Sequence, residues 1–140
     1  MTARLAGNLP ERVFDFGCGY VGLTSLEGCP KHVERDFTCA SNKLESLVGG
    51  PEFVGGKYDC TYNPLTTLDG IANTIEGILL LSWSENLPML KILKYNFRIS
   101  GNFAVQNLMK KYIDQRPLRQ AIIQCQKELI DAGFVGNAHL

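Results

Sequence analysis

The segment with the most evident chemical potential is Gly17-Cys18-Gly19-Tyr20-Val21-Gly22, which matches the G-x-G-x-x-G pattern of dinucleotide-binding turns. That pattern needs a helix directly after it, because the helix N-terminus and the glycine backbone together hold the pyrophosphate. Here Gly28 and Pro30 interrupt the chain within eight residues of the last glycine. A crossover helix does not fit into that length, so we predict that the segment binds no cofactor.

Residues typical of catalytic sites are sparse elsewhere. The sequence contains no G-x-x-x-x-G-K-[ST], H-E-x-x-H or G-x-S-x-G motif. Its two histidines, His32 and His139, have no partner that the sequence identifies, and both are expected to be surface residues. The five cysteines are odd in number and include no C-x-x-C pair, which argues against a disulfide framework and a zinc site. We therefore predict that the protein is not an enzyme and has no catalytic residues, metal or cofactor.

Three of the cysteines mark the strongest pattern in the chain, a repeat of 21 residues. Cys18, Cys39 and Cys60 keep this spacing, and a decayed fourth unit begins at Leu79. Further columns recur at the same interval: Phe16, Phe37 and Tyr58; Leu23, Leu44 and Leu65; Leu26, Leu47 and Leu68; Gly28, Gly49 and Gly70; Val33, Val54 and Ile75. A fixed period of about 20–29 residues is typical of solenoids, in which stacked units bury one continuous core.

The second unit shows why this spacing suits a stacked strand. Phe37 and Cys39 are two residues apart, so both point to the same side of a short strand. Asn42 can bond to the backbone at the turn that leaves the strand, and Leu44 then fills the interior. The glycine and proline that end the first two units cannot sustain a helix. We therefore expect turns or 3₁₀ pieces on the convex side.

The repeat core F-x-C-x-x-N-x-L-x-x-L-x-G-x-P resembles short cysteine-containing leucine-rich-repeat proteins, which are frequent in bacteriophages and giant viruses. The resemblance covers roughly residues 10–86. The tail at 124–138, with CQKELIDAGFVGNA, is similar to endings of phage proteins of this type. Val21 and Ser84 depart from it, because they occupy the asparagine column in the first and fourth units. The resemblance implies a protein-binding scaffold and no catalytic residue.

These patterns predict an α/β or β-rich fold, a leucine-rich-repeat-like right-handed solenoid with short parallel strands. Residues 1–86 form about 3.5 repeats, and residues 87–140 form a C-terminal cap of two helices packed with them as one structural domain. Leu87, Leu90, Ile92 and Leu93 are expected to form one more strand or the approach to a helix. The two helical stripes are Val105, Leu108, Met109 and Tyr112, then Leu118, Ile122, Cys125, Leu129 and Ile130, separated by Pro117 and ended by Gly133.

The first functional hypothesis is a protein–protein interaction module that binds its partner through the concave strand face. Thr38 and Asp59 flank the buried Phe and Cys columns and should point outward. The column before the asparagine contains Tyr20, Ser41, Tyr62 and Trp83, and aromatic side chains are enriched in interfaces. The candidate partner-binding residues are therefore Tyr20, Thr38, Asp59, Tyr62 and Trp83. The alternative is that these rings shield the turns or pack beneath the cap, which we favour for Trp83.

The charge distribution supplies a second hypothesis, a nucleic-acid-binding protein. Net charge is zero, but residues 1–86 hold 6 Lys and Arg against 11 Asp and Glu, and residues 87–140 hold 8 against 3. The basic candidates are Lys110, Lys111, Arg116 and Arg119, near the turn between the two helices. The alternative without a functional role is that the opposite charges of the two halves attract each other or are simply solvated. A third hypothesis is a structural repeat protein that self-assembles end to end.

The expected location is the cytoplasm, or the host cytoplasm if the chain is phage-encoded. The longest apolar run is 78–81, far shorter than a membrane span, and the first residues lack the apolar stretch of a secretory leader. We therefore predict a protein partner, a less favoured nucleic-acid partner and no membrane.

Overall fold

The computed structural model describes Leu5 and residues 9–140, and its main feature is two parallel sheets of short strands. The strands, in chain order, are β1 Arg12–Val13, β2 Phe16–Gly17, β3 His32–Val33, β4 Phe37–Thr38, β5 Phe53–Val54, β6 Tyr58–Asp59, β7 Thr74–Ile75, β8 Ile78–Ser82 and β9 Asn96–Ser100. Sheet 1 has the order β1-β3-β5-β7, and sheet 2 has the order β2-β4-β6-β8-β9. Each of the first four turns of the chain therefore adds one strand to each sheet, and β9 extends sheet 2 alone, which confirms the solenoid with short parallel strands.

Sheet 2 keeps the predicted register. Phe16 pairs with Phe37, Phe37 pairs with Tyr58, and Tyr58 pairs with Leu79. The rings of Phe16 and Phe37 stack at 6.2 Å between centroids, and those of Phe37 and Tyr58 lie 4.9 Å apart. Phe37 and Tyr58 are fully buried, as are the leucines of the return arc, so the repeated columns form the core.

The asparagine column is a ladder that joins neighbouring rungs. Asn42 Nδ2 donates to the carbonyl oxygens of Cys18 and Cys39, both at 2.9 Å, and its Oδ1 accepts from the N–H of Leu23 at 2.9 Å. Asn63 repeats the arrangement one rung later, where its Oδ1 accepts from the N–H of Leu44 at 3.1 Å. The side chains thus satisfy backbone groups where the chain leaves the strand and regular pairing stops.

The return from sheet 2 contains turns, as expected, and each turn is built from the same residue types. It also contains the strands of sheet 1, which the sequence did not predict. Ser25, Ser46 and Thr67 accept a hydrogen bond from the N–H two residues further along the chain. Gly28, Gly49 and Gly70 follow with φ values of 91°, 92° and 87°. A Cβ on Gly70 would lie 2.3 Å from the backbone of Val48, so the close approach of successive turns requires glycine there.

The segment assigned to the cap begins with a further rung of the solenoid. After β8 the chain forms a 3₁₀ helix at Leu90–Lys94 and then β9, which pairs in parallel with β8 and places Phe97 beside Leu79. The step between these two residues is 18 instead of 21, so the repeat pattern did not indicate the strand. Leu90, Ile92 and Leu93 belong to the 3₁₀ helix and not to the strand.

Two helices complete the fold, as predicted from the apolar stripes: α1 at Phe103–Lys110 and α2 at Leu118–Asp131. The side chain of Gln106 in α1 accepts a hydrogen bond from the backbone N–H of Ile99 at 2.6 Å, so α1 covers part of the outer edge of β9. At the end of α2, Gly133 has φ 91°, and the N–H of Phe134 donates to Leu129 O at 2.8 Å. This is the Schellman arrangement that glycine at this position favours.

Candidate interaction surfaces

Two tyrosines of the predicted aromatic column are strongly exposed on the turns that leave sheet 2. Tyr20 is 83% exposed and Tyr62 is 71% exposed, with half-buried Ser41 between them in the stack. All three have left-handed backbone, with φ of 61°, 57° and 59°. This conformation costs a residue other than glycine roughly 1–2 kcal/mol, and asparagine tolerates it best. Neither ring is buried in the core, so packing does not explain why tyrosine occupies these positions.

The backbone of these turns is held by the neighbouring rung. The N–H of Tyr20 donates to Ala40 O at 3.2 Å, and that of Ser41 donates to Thr61 O at 2.9 Å. The N–H of Tyr62 donates to Ser82 Oγ at 3.0 Å. Strands in a sheet are about 4.8 Å apart, so the two tyrosine positions lie about 10 Å apart along the stack.

The outward column of sheet 2 adds polar groups beside the tyrosines. The parallel register aligns Gly17, Thr38, Asp59, Leu80 and Arg98. Thr38 Oγ1 accepts from the N–H of Ala40 at 3.3 Å, and Asp59 Oδ1 accepts from the N–H and hydroxyl of Thr61 at 3.0 and 2.7 Å. These local bonds fix the orientation of both side chains on the outer face.

Trp83 differs from the exposed tyrosines in its contacts. Its indole Nε1 donates to Oδ1 of Asn137 at 2.8 Å, and the ring is partly buried against the core. Asn137 is fully buried, and its Nδ2 donates to the carbonyl oxygens of Ser84 and Leu87 at 2.9 and 2.8 Å. The contacts of Trp83 are therefore those of a residue that joins the last full repeat to the C-terminal segment.

The four basic candidates are not brought together. Lys110 and Arg116 line one cleft, with Lys94 of the 3₁₀ helix. Lys111 forms an ion pair with Glu128, which also accepts a hydrogen bond from the Tyr112 hydroxyl. Arg119 lies beside a separate apolar groove between the 3₁₀ helix and α2. Arg98 of β9 also lies near Lys110. It was not predicted as a basic candidate, because the 21-residue repeat gives no sign of β9.

The five thiols are buried, and burial makes them poor nucleophiles. Desolvation raises the pKa of Cys18 to about 11, and those of Cys29 and Cys125 to about 12. The pKa values of Cys39 and Cys60 are raised as well, first by desolvation and then by neighbouring ionisable groups. All five are free cysteines in the structure. A reactive cysteine instead has a lowered pKa, which stabilises the thiolate, and a sulfur atom that solvent can reach.

Neither the histidines nor the glycine-rich segment at 17–22 has the surroundings of a catalytic or dinucleotide-binding site. His32 stacks on Phe53 with ring centroids 4.4 Å apart, and its Nε2 lies 2.9 Å from Glu34 Oε1. His139 is exposed. Residues 9–89 contain no helix, so the prediction that no helix follows Gly22 is confirmed.

Comparison of the chain with known proteins finds no matching family model, no matching curated protein and no matching solved structure. Of the helices in the described part of the chain, none combines the length and apolar character needed to cross a bilayer.

Proposed function

We propose that the chain is a protein–protein interaction module of the short cysteine-containing leucine-rich-repeat type. Its partner would be a protein bound on the outer face of sheet 2 and the adjoining strand-exit turns. Tyr20 and Tyr62 are the principal contacts in this proposal, with Thr38 and Asp59 as polar contacts between them. Trp83 is left out, because its indole N–H is already bonded to Asn137.

The observation that carries the proposal is the combination of exposure and unfavourable backbone at Tyr20 and Tyr62. Backbone strain in an ordered segment persists where another requirement outweighs it, and ligand contacts are one common requirement. A tyrosine side chain has few rotatable bonds, so it loses little conformational entropy on binding. It also offers both an apolar ring and a hydroxyl group. The spacing of the two tyrosine positions along the stack would suit a partner with two matching apolar sites.

The resemblance to phage proteins supports a narrower form of this proposal. A phage-encoded module of this type would act in the host cytoplasm, and its partner would be a host protein of a defence or regulatory pathway. This form rests on the repeat pattern and the tail sequence, and not on the geometry of the tyrosines.

The test compares the proteins captured by the natural chain with those captured by a double variant that carries both Tyr20→Gly and Tyr62→Gly. Glycine keeps the left-handed backbone and removes only the rings. Ser41→Gly is the matched control, because it makes the same backbone change in the same column without removing a ring. We expect a partner that is recovered equally by the natural chain and the control, and lost with the double variant. Equal recovery with all three proteins would overturn the proposal.

A further inference from the structure

A basic cleft lies between the start of β9 and the C-terminal end of α1, on a different part of the molecule from the exposed tyrosines. It has a volume of about 370 Å³ and is lined by Lys94, Asn96, Lys110, Asp114 and Arg116. The cations come from three separate segments: the 3₁₀ helix, α1 and the loop after α1. The fold therefore assembles a positive site that is not contiguous in sequence.

The positive charge of this cleft is only partly neutralised within the described part of the chain. The ion pairs there join Arg12 and His32 to Glu34, Lys91 to Asp69, and Lys111 to Glu128. Lys94, Arg98, Lys110 and Arg116 take part in none of these pairs. Asp114 is the carboxylate that lines the cleft, so three lining cations face one anion.

The cations are held in place by rings and by backbone. Lys110 Nζ lies 4.5 Å from the centroid of the Phe97 ring, and Lys94 Nζ lies 5.0 Å from that of Tyr95. Arg116 Nη1 donates to Gln115 O at 2.8 Å and to Ile113 O at 3.5 Å, which leaves the N–H groups of Nε and Nη2 available. Desolvation and the nearby Arg98 lower the pKa of Lys110, and the carboxylate of Asp114 opposes this shift only in part.

We propose that this cleft binds the phosphodiester backbone of a nucleic acid. Three cations from separate segments line one open cleft, and such a set of positive charges suits the repeated phosphates of a nucleic-acid backbone. The guanidinium of Arg116 can bind two phosphate oxygens at once, and the two ammonium groups act as point charges. This site is independent of the tyrosine surface and of the protein-binding function proposed for it.

The surroundings of the cleft also indicate that binding does not depend on sequence. Tyr95 and Phe97 are buried, so neither ring is available to stack on a base. The site offers charge and no exposed ring, which favours the backbone over the bases. Duplex DNA should then bind at least as well as a single strand, because its charge density is higher.

The experiment measures the fluorescence anisotropy of a short labelled DNA duplex and a labelled single strand against the full chain, over a salt series. Neutralisation of about three phosphates predicts a slope of about −2.7 for log K against log salt, or about a 40-fold loss of duplex affinity between about 50 and 200 mM salt. For Lys110→Gln with Arg116→Gln, about one phosphate contact remains. The loss over the same salt range should then be only about fourfold.

The control variant is Arg119→Gln with Lys127→Gln, which removes the same charge from the surface of α2 outside the cleft. We expect it to keep the salt dependence of the natural chain. The proposal is overturned by the absence of salt-dependent binding at low ionic strength, or by equal weakening in the two double variants. Binding of inorganic phosphate at the cleft without binding of either oligonucleotide would also overturn it, as would binding of the single strand alone.

Discussion

The backbone N–H of Asn42 donates to Oδ1 of Asn63, one rung further along the stack, at 3.2 Å. The two ladder asparagines are therefore linked directly, and each also binds carbonyl oxygens of its own rung and of the one before. The strands of these rungs are only two residues long, so few ladder bonds come from the strands themselves. Backbone bonds such as that from Cys39 N–H to Asp59 O at 2.9 Å also join these rungs, and the side-chain amides add further bonds where the chain leaves the strands.

Asn42→Ala is expected to destabilise the fold strongly. The change leaves the carbonyl oxygens of Cys18 and Cys39 and the N–H of Leu23 without their partner in a buried position. Each unsatisfied buried group costs about 1–3 kcal/mol, so the free energy of unfolding should fall by at least about 2 kcal/mol. Chemical denaturation followed by circular dichroism measures the change. Asn73→Ala, at an exposed site, is the control, and equal stability of the two variants would contradict the role of the ladder.

The glycine turns allow a second matched test. Gly70 and Gly22 both have positive φ, but a Cβ on Gly70 would clash with Val48, whereas a Cβ on Gly22 meets nothing within 4 Å. Gly22→Ala should therefore cost only the backbone strain, about 1–2 kcal/mol. Gly70→Ala should cost clearly more, because the turns must also move apart. Thermal unfolding of both variants checks this, and similar melting temperatures would show that the turns are not tightly stacked.

Much of this architecture could be predicted from the sequence, because the columns of Phe37, Cys39 and Leu44 repeat with one period. The rung at β9 could not, because its Phe97 follows Leu79 by 18 residues and has no cysteine two positions later. Because of the same shift, the repeat pattern does not indicate that Arg98 and Lys94 lie near Lys110 and Arg116. The left-handed backbone at Tyr20 and Tyr62 was also not foreseen, since tyrosine gives no local signal for positive φ.

The exposed tyrosines should contribute little to stability. Because glycine adopts the left-handed conformation without steric strain, Tyr62→Gly is expected to leave the free energy of unfolding unchanged or raise it by up to about 1 kcal/mol. Phe37→Ala, in the buried column of the neighbouring rung, should instead be destabilising, because the Phe37 ring is fully buried against Tyr58 and its removal leaves a cavity. Denaturation curves of the two variants test the contrast. A loss of more than about 1 kcal/mol in Tyr62→Gly would assign the ring a structural role.

Alkaline pH should destabilise the protein. Burial raises the pKa of Cys18 to about 11 and those of Cys29 and Cys125 to about 12, whereas an unfolded thiol titrates near about 8.5. Because the folded protein holds the thiol proton more tightly than the unfolded chain, each thiol contributes fully to stability below its unfolded pKa. This contribution is lost as pH rises through the folded pKa. Stability should therefore fall from about pH 8.5 towards pH 12, as measured by denaturant midpoints.

A thiol reagent provides the complementary measurement. At neutral pH in the folded state the five buried thiols should react slowly, and in denaturant all five should react. Rapid labelling of any one of them in the native protein would show that its rung opens locally.

Trp83 makes the attachment of the C-terminal segment directly observable, because it is the single tryptophan of the chain. Asn137→Ala removes the acceptor of the indole N–H and leaves the carbonyl oxygens of Ser84 and Leu87 without their donor. We expect a loss of about 2–4 kcal/mol, together with a red shift of tryptophan emission as water reaches the ring. Asn107→Ala, at an exposed position of α1, is the control and should change neither quantity. If Asn137→Ala kept the natural emission and stability, the side chain of Asn137 would not hold the segment. The core contacts of Leu129 and the backbone bonds from Met89 to Asn137 and from Leu90 to His139 would then do so.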